Sequence, residues 1–444
     1  MFHFDVMQRI LELDVGVAKP DNRRMFELLG TIHPLTLAAY PSDVEHNGWV
    51  TPQAGQAHVA TIKRNGETLF DGSVHPLAVI GASTSFRGVL SKAELDKHVF
   101  HSERFPDAYV FHSMNNYRPW ARDWGFCVPY NLWKTWPDGD YAVDLQMRYA
   151  PQDMLVGKCR VAGDSPQTVV FNAHTCHPCQ ANDGLVGVVV LLELFKWLAS
   201  RKTRFSYLGV FAPEHLGTVF DIAAMPPEEL ARIRLGCFVE MVGSRTPYAL
   251  QRTFAGDTRF DALVEYVLRD VEPDLRVGPF RTVVGNDETV WEAPGIEVPM
   301  VSVSRWPYPE YHTSADDLSI IAEQSMAQTL EVLKRIVRIL EDDCVMIRKF
   351  TGLVALSNPK YDLYVQRLDP VVDKGLSDLD LKFGLLQDYL PRFFDGNHSV
   401  FEIARRFEVP FEILREHIGR FEAKGLVELR PVADLDFYRA AGGR

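Results

Sequence analysis

Cysteine is scarce in this 444-residue chain, and the six present (Cys127, Cys159, Cys176, Cys179, Cys237 and Cys344) are scattered along it. A disulfide scaffold needs dense, paired cysteines, so none is expected, and the usage suits a reducing compartment. Positive charge is in deficit as well: 47 Lys and Arg stand against 59 Asp and Glu, a formal net charge of -12. A protein whose whole surface binds nucleic acid is basic, so that class is excluded, although a local patch is not. No run of about eighteen uninterrupted apolar residues occurs, so no membrane span is expected. The opening MFHFDVMQRILELD lacks the basic and apolar regions of a secretory signal. Repeats and low-complexity segments are missing too. These absences leave a soluble, cytoplasmic protein as the expectation. Its 46% hydrophobic content is enough for sizeable cores in two or three domains.

The texture changes three times along the chain. Residues 1–40 read as helical, with Met7, Ile10, Leu11, Phe26, Leu28 and Leu29 at helix-like spacing. From 45 to 149, short runs such as HVATIKR, ETLFDG and PLAVIGAS read as strands of a small β-rich domain. Its segment YRPWARDWGFCVPYNLWKTW gathers Tyr117, Trp120, Trp124, Phe126, Tyr130, Trp133 and Trp136, more simply a core than a platform for a ligand ring. From 150 to 345, strands and helices alternate. QTVVFNAH, FSYLGVFAP, LGCFVEMVG and VPMVSVSR read as buried strands, GLVGVVVLLELFKWLASR as a helix, and Ser314 to Asp343 as a long amphipathic helix. That rhythm predicts an α/β domain, a mostly parallel (mixed) sheet with helices on both faces. Beyond 350, SVFEIARRFEVPFEILREHIGRFEAKGLVELRP reads as helix, turn, helix and strand pair, a winged-helix pattern. The expected domains are 1–44 with 150–345, an insert at 45–149, and 350–444.

Ligands of such sheets sit beyond the carboxyl ends of the strands, so the residues after each strand carry the chemistry. HTCHPCQANDG follows the first strand with His174, His177 and Asp183; PEHLG follows the second with Glu214 and His215. The third ends in Glu240, and YPEYHTSADD follows the fourth with Tyr308, Tyr311, His312 and Asp316. Imidazole nitrogen and carboxylate oxygen are the donors zinc takes in catalytic sites. Two ions about 3.5–4 Å apart can share one carboxylate, and a nearby free carboxylate can carry protons. Each residue also has a plainer explanation. Asp183 precedes a helix and could cap it, and His174 could be a core histidine. Glu240 has apolar neighbours, and a buried carboxylate without a partner is costly, which favours a metal. Cys176 and Cys179 form a CxxC, but no second pair exists to complete a structural zinc site.

At these residues the chain resembles the co-catalytic zinc aminopeptidase superfamily, which includes the glutaminyl cyclases. The matching segments are His174 or His177, Asn182-Asp183-Gly184, Glu214-His215, Glu240, Asn286-Asp287-Glu288 and Tyr311-His312-Thr313 with Asp316 beyond. It is closer still to a bacterial aminopeptidase-like family with a β-rich insert and a C-terminal winged helix, through Cys176-His177-Pro178, Pro213-Glu214, Tyr308 to Ser314 and the insert's Arg122 to Cys127. The resemblance implies one or two Zn2+ ions. Asp183 would bridge them, His177 (or His174) with Glu240 would complete one, and His215 with His312 the other. Glu214 would be general base and then acid, and Asp287 would lie near the substrate or orient a ligand. Tyr308 or Tyr311 would stabilise the oxyanion. Histidine stands here where the superfamily has a second Glu, and Cys176 and Cys179 follow the two histidines where it has an Asp.

The implied activity is hydrolysis of an amide beside the free amino group of a small peptide or amino-acid conjugate. Two alternatives keep parts of this picture: a single-zinc cyclase or deacylase, or a ligand-sensing regulator acting through the winged helix. In PFEILREHIGRFEAKG, Arg415, Arg420 and Lys424 are balanced by Glu412, Glu416 and Glu422, so a nucleic-acid partner is not expected. Homo-oligomerisation is left open.

Overall fold

QTVVFNAH, FSYLGVFAP, LGCFVEMVG and VPMVSVSR lack the polar alternation of a half-exposed strand, and all four lie inside one sheet. The computed structural model describes residues 2–118, 120–365 and 375–441. Its main sheet has eight strands: β1 (Thr36–Tyr40), β2 (Met154–Val161), β3 (Thr168–His174), β4 (Ser206–Ala212), β5 (Ile233–Val239), β6 (Tyr248–Gln251), β7 (Arg276–Gly278) and β8 (Met300–Arg305). They are ordered β1-β2-β4-β3-β5-β8-β6-β7. Strands β4, β3, β5 and β8 are parallel neighbours, whereas β1 and β2 pair antiparallel at one side and β6 antiparallel to β8 at the other. Every residue of β3, β4 and β8 is buried, as a parallel sheet covered on both faces requires.

Register brings the strand ends together. His174 lies opposite Ala212, Asn172 opposite Phe238, and Val239 opposite Val303. The four following loops therefore emerge along one edge. Helix Val186–Ala199 packs close to β5, because a Cβ on Gly187 would collide with the carbonyl oxygen of Val239. Glycine permits that approach.

Three expected elements differ. Residues 1–40 are not helical throughout: helices Phe4–Leu11 and Asn22–Leu29 are followed by β1, a half-exposed edge strand. The long helix runs Glu323–Asp342 rather than from Ser314. The preceding residues form a loop in which the Asp317 side chain accepts the Ser319 N–H of a short turn, a local bond that competes with helix. In the insert, Ala54–Arg64, Glu67–Asp71, Phe86–Ser91 and Asp140–Ala150 form a separate four-stranded antiparallel sheet. PLAVIGAS adds only an isolated bridge from Val79 to Phe126. Of the aromatics read as a core, Trp124, Phe126, Trp133 and Trp136 pack in one cluster with Tyr141, whereas Trp120 is exposed.

Contacts divide the chain into two units, Met1–Asp257 with Glu272–Glu331, and Thr258–Val271 with Val332–Arg444. In the second, helices Val400–Phe407 and Phe411–Ala423 are joined through a left-handed Glu408. One strand, Val427–Pro431, follows them instead of a pair. It pairs with Cys344–Arg348, which also pairs with Asp395–Ser399. Residues 366–374, inside the expected 350–444 domain, lie outside the described residues. All six cysteines are free. Among the described residues no helix is long and apolar enough to cross a membrane.

Candidate metal centre

Each of the four loops beyond β3, β4, β5 and β8 holds one non-glycine residue in the left-handed region: Cys179 (φ 54°), His215 (57°), Met241 (54°) and His312 (57°). Such backbone is costly outside glycine and persists where surrounding structure over-determines it, typically at functional sites. The helix after β3 begins with a π-helical turn, Ala181–Leu185, another irregularity frequent at such sites. Hydrogen bonds tie these loops together. Asn182 Oδ1 accepts the N–H groups of Gly243 (2.9 Å) and Ser244 (3.0 Å). Asp316 accepts the N–H of Asn182 on Oδ1 (2.6 Å), and on Oδ2 the N–H of Asp183 (3.0 Å) and the hydroxyl of Tyr308 (2.8 Å).

Two groups of ligand-type side chains form at this edge, and Asp183 belongs to both. In one, His174 Nε2 lies 3.3 Å from Asp183 Oδ1 and 3.5 Å from Glu240 Oε2. In the other, Asp183 Oδ2 lies 3.0 Å from His177 Nε2 and 3.5 Å from His312 Nε2. The donor atoms within each group lie within 4.8 Å of one another. His174 Nε2 and Glu240 Oε1 are buried without a hydrogen-bond partner among the described residues. Buried polar atoms are normally satisfied, so two unsatisfied ones within a single group of ligand-type residues fit a cation. The donor types fit zinc.

Electrostatics point the same way. Burial pushes Glu240 up to about 8, and burial together with the charge of Asp183 does the same to Asp316. Burial also pushes Asp183 up, but the His174 and His177 imidazoles beside it outweigh that and hold the carboxyl well below its usual range. Burial lowers His312 to about 4, keeping that imidazole neutral, the form in which histidine ligates metal.

Glu214 stands beside the pair of groups. The Tyr117 hydroxyl donates to its Oε2 (2.9 Å), and His215 Nδ1 lies 3.4 Å from Oε1. Burial would raise the Glu214 carboxyl, yet His215 and Tyr117 hold it below its ordinary value. The His215 N–H donates to Asp287 Oδ1 (2.6 Å), and the Thr218 hydroxyl donates to Oδ2 of the same residue. Asp287 thereby holds the left-handed turn that presents Glu214. From the insert, Phe111 stacks on His177 (centroids 4.0 Å apart, planes 22°) and its N–H donates to the His312 carbonyl (2.7 Å).

Several placements differ from the sequence expectation. His174 and His177 are not alternatives: His174 groups with Glu240, and His177 with His312. His215, expected beside His312, is in neither group, because its positive φ and its bond to Asp287 turn the ring toward Glu214. Asp287 is fully buried and accepts the His215 N–H and the Thr218 hydroxyl. Tyr308 is buried with its hydroxyl committed to Asp316, which removes it as an oxyanion donor. Tyr311 stays half-buried, stacked on His312 (3.8 Å, 18°), with its hydroxyl pushed up by burial and by the charges of Asp183, Glu240 and Glu214. Phe111 was not singled out from sequence, Tyr117 was named only among the insert's aromatics, and Asn286, whose Nδ2 donates to Glu240 Oε2 (2.7 Å), was named only within the Asn286-Asp287-Glu288 segment and given no role. The density of aromatics around Tyr117 was the available signal, and it read as core.

A Clostridium acetobutylicum protein named for polysaccharide biosynthesis and for an aminopeptidase-like domain is 25% identical over 347 residues, 77% of this chain and 78% of its own. A solved structure named as a peptidase, also from Clostridium acetobutylicum, matches at a TM-score of 0.78 and 21% identity over 96% of each chain. A zinc aminopeptidase from Bacillus subtilis matches at 0.57 and 10% identity, over 76% of this chain and 93% of its own. These likenesses show an aminopeptidase-like fold, a mixed sheet with helices. The family model that matches residues 4–343 is described as Domain of unknown function (DUF4910), and this chain belongs to that family.

Proposed function

We propose that the protein is a zinc-dependent hydrolase of peptidase type, cleaving an amide next to a free amino group of a small peptide or amino-acid conjugate. The observation that carries this is Asp183, one carboxylate shared by two groups of ligand-type side chains, one of which holds the unsatisfied buried atoms His174 Nε2 and Glu240 Oε1. His174, Asp183 and Glu240 would hold one ion, and His177, Asp183 and His312 a second. Bound zinc supplies Lewis acidity toward a carbonyl and toward water. Glu214 takes the proton from water and returns it to the leaving amine. Tyr117 and His215 keep its carboxylate ionised and aimed. Tyr311 donates to the developing oxyanion. The catalytic domain would be 1–44 with 150–345, flanked by the 45–149 insert and a winged-helix domain at 350–444. Six free cysteines support a cytoplasmic location. In helix Phe411–Ala423 and at its C-cap, Arg415, Arg420 and Lys424 donate to the carbonyls of Asp342, Asp362 and Lys360, which weighs against phosphate binding.

The test is Glu214→Gln with amino-acyl anilides as substrates. Turnover should fall at least about 1000-fold, on the scale of losing acid–base catalysis, while zinc content stays as in the wild type. Persisting turnover would remove Glu214 from the mechanism. A second reading, deacylation or cyclisation of a small amine-bearing metabolite, is favoured by the polysaccharide-biosynthesis name of the Clostridium relative. Turnover of N-acylated amino sugars, with none of the anilides, would select it.

A further inference from the structure

We infer that the sulfur of Cys176 is the acceptor that orients His174 for its metal, a positioning role that rests on the zinc-dependent function proposed above. A histidine that ligates through Nε2 keeps its proton on Nδ1, and that N–H needs a partner to fix the tautomer and the ring plane. His177 has a backbone partner, with Nδ1 2.8 Å from the Pro178 carbonyl. His174 has none of that kind. Its Nδ1 lies 3.3 Å from Cys176 Sγ, within hydrogen-bonding range for sulfur. Both side chains are buried, His174 at 2% and Cys176 at 4% exposure.

Chain geometry explains the pairing. The Thr175 N–H donates to the Ala212 carbonyl (2.9 Å), carrying the β3–β4 pairing one residue past His174. In extended chain, residues two apart share a face, so Cys176 returns to the side of the His174 ring. The opposite ring nitrogen, Nε2, is the buried atom without a hydrogen-bond partner that faces Asp183 and Glu240. One nitrogen is engaged by sulfur and the other is free toward the carboxylates, as an oriented ligand requires. Cys176 itself belongs to neither ligand group. A thiol is a weak acceptor compared with a carboxylate, so its place can be taken by a stronger one.

Stepwise zinc affinity is measured on the full chain by competition with a chromophoric chelator, alongside the absorption spectrum of the cobalt-loaded protein. Cys176→Ala should weaken one zinc step by about 10- to 100-fold, the usual range for losing such a partner, and leave the other unchanged. Cys176→Asp should restore that step. Thermal unfolding of the chelator-treated protein should match the wild type for both variants. If the alanine variant does not fold, Cys176→Val, which also lacks an acceptor, takes its place and should weaken the same zinc step. Wild-type cobalt protein should show no thiolate-to-metal charge-transfer band. Such a band, lost in Cys176→Ala, would make the sulfur a ligand and overturn the positioning role. Unchanged zinc steps in Cys176→Ala would overturn that role alone. A wild-type chain that takes up no zinc would overturn it together with the metal-dependent function.

Discussion

Replacing Asp316 by alanine should loosen the turn that presents Asp183 more than any other single cut of a hydrogen bond near the centre. Its carboxylate accepts two backbone N–H groups, from Asn182 and Asp183, and the Tyr308 hydroxyl. Asp316 is 1% exposed and Asn182 fully buried, so water does not readily replace the lost acceptor. A buried donor left unpaired costs about 1–1.5 kcal/mol at the low end of its range, so three cost roughly 3–4.5 kcal/mol. Tyr308→Phe removes one donor and leaves both backbone bonds in place, which predicts about 1 kcal/mol. Asp316→Asn keeps one acceptor oxygen and should fall between. The assay is urea unfolding of chelator-treated protein followed by tryptophan fluorescence, which reports on the first unit because all eight tryptophans lie in it. An Asp316→Ala variant no less stable than Tyr308→Phe would refute the claim that this carboxylate anchors the turn.

Two further outcomes are expected. Zinc analysis after gel filtration should find His177→Ala reduced from about two ions per chain to about one and His215→Ala unchanged, since only the former residue shares a group with Asp183 and His312. Loss of an ion in His215→Ala would restore that residue as a ligand. In the second unit, His417 is 5% exposed with Nε2 2.9 Å from Gln387 Oε1, and burial with nearby Arg420 lowers its pKa to about 4. Below about 6.5 the unfolded chain binds a proton that the folded one refuses, so this contribution is whole above that pH and is lost as pH falls toward 4, by about 3 kcal/mol. His417→Gln should flatten the stability–pH curve across that window, as read by urea midpoints; an unchanged curve would assign the acid sensitivity elsewhere.

Much of this protein could be read from its order of residues. The runs now in β3, β4, β5 and β8 are buried on both sides, so hydrophobicity alone marked them, and strands that parallel one another must send their following loops to a common edge. His174, His177, Asp183, Glu214, Glu240 and His312 were legible for that reason, as polar residues placed after apolar strands. Short or half-exposed pieces were not. β1, β6 and β7 are only five, four and three residues long, too short for a pattern to stand out, and they join the sheet only because partners supply the other half of each ladder. The start of helix Glu323–Asp342 was hidden because a few side-chain bonds at Asp316 and Asp317 outbid a helical pattern.

Donor chemistry was thus determined by local sequence, and the partnership of donors by tertiary structure. Nothing in PEHLG states that His215 will adopt a positive φ and turn toward Asp287, 72 residues away. Nor does an aromatic-rich insert announce that Tyr117 will reach Glu214, 97 residues further along. Side-chain identity sets what an atom can bind. Which atoms meet depends on backbone angles and long-range hydrogen bonds, and those exist only once the chain has folded.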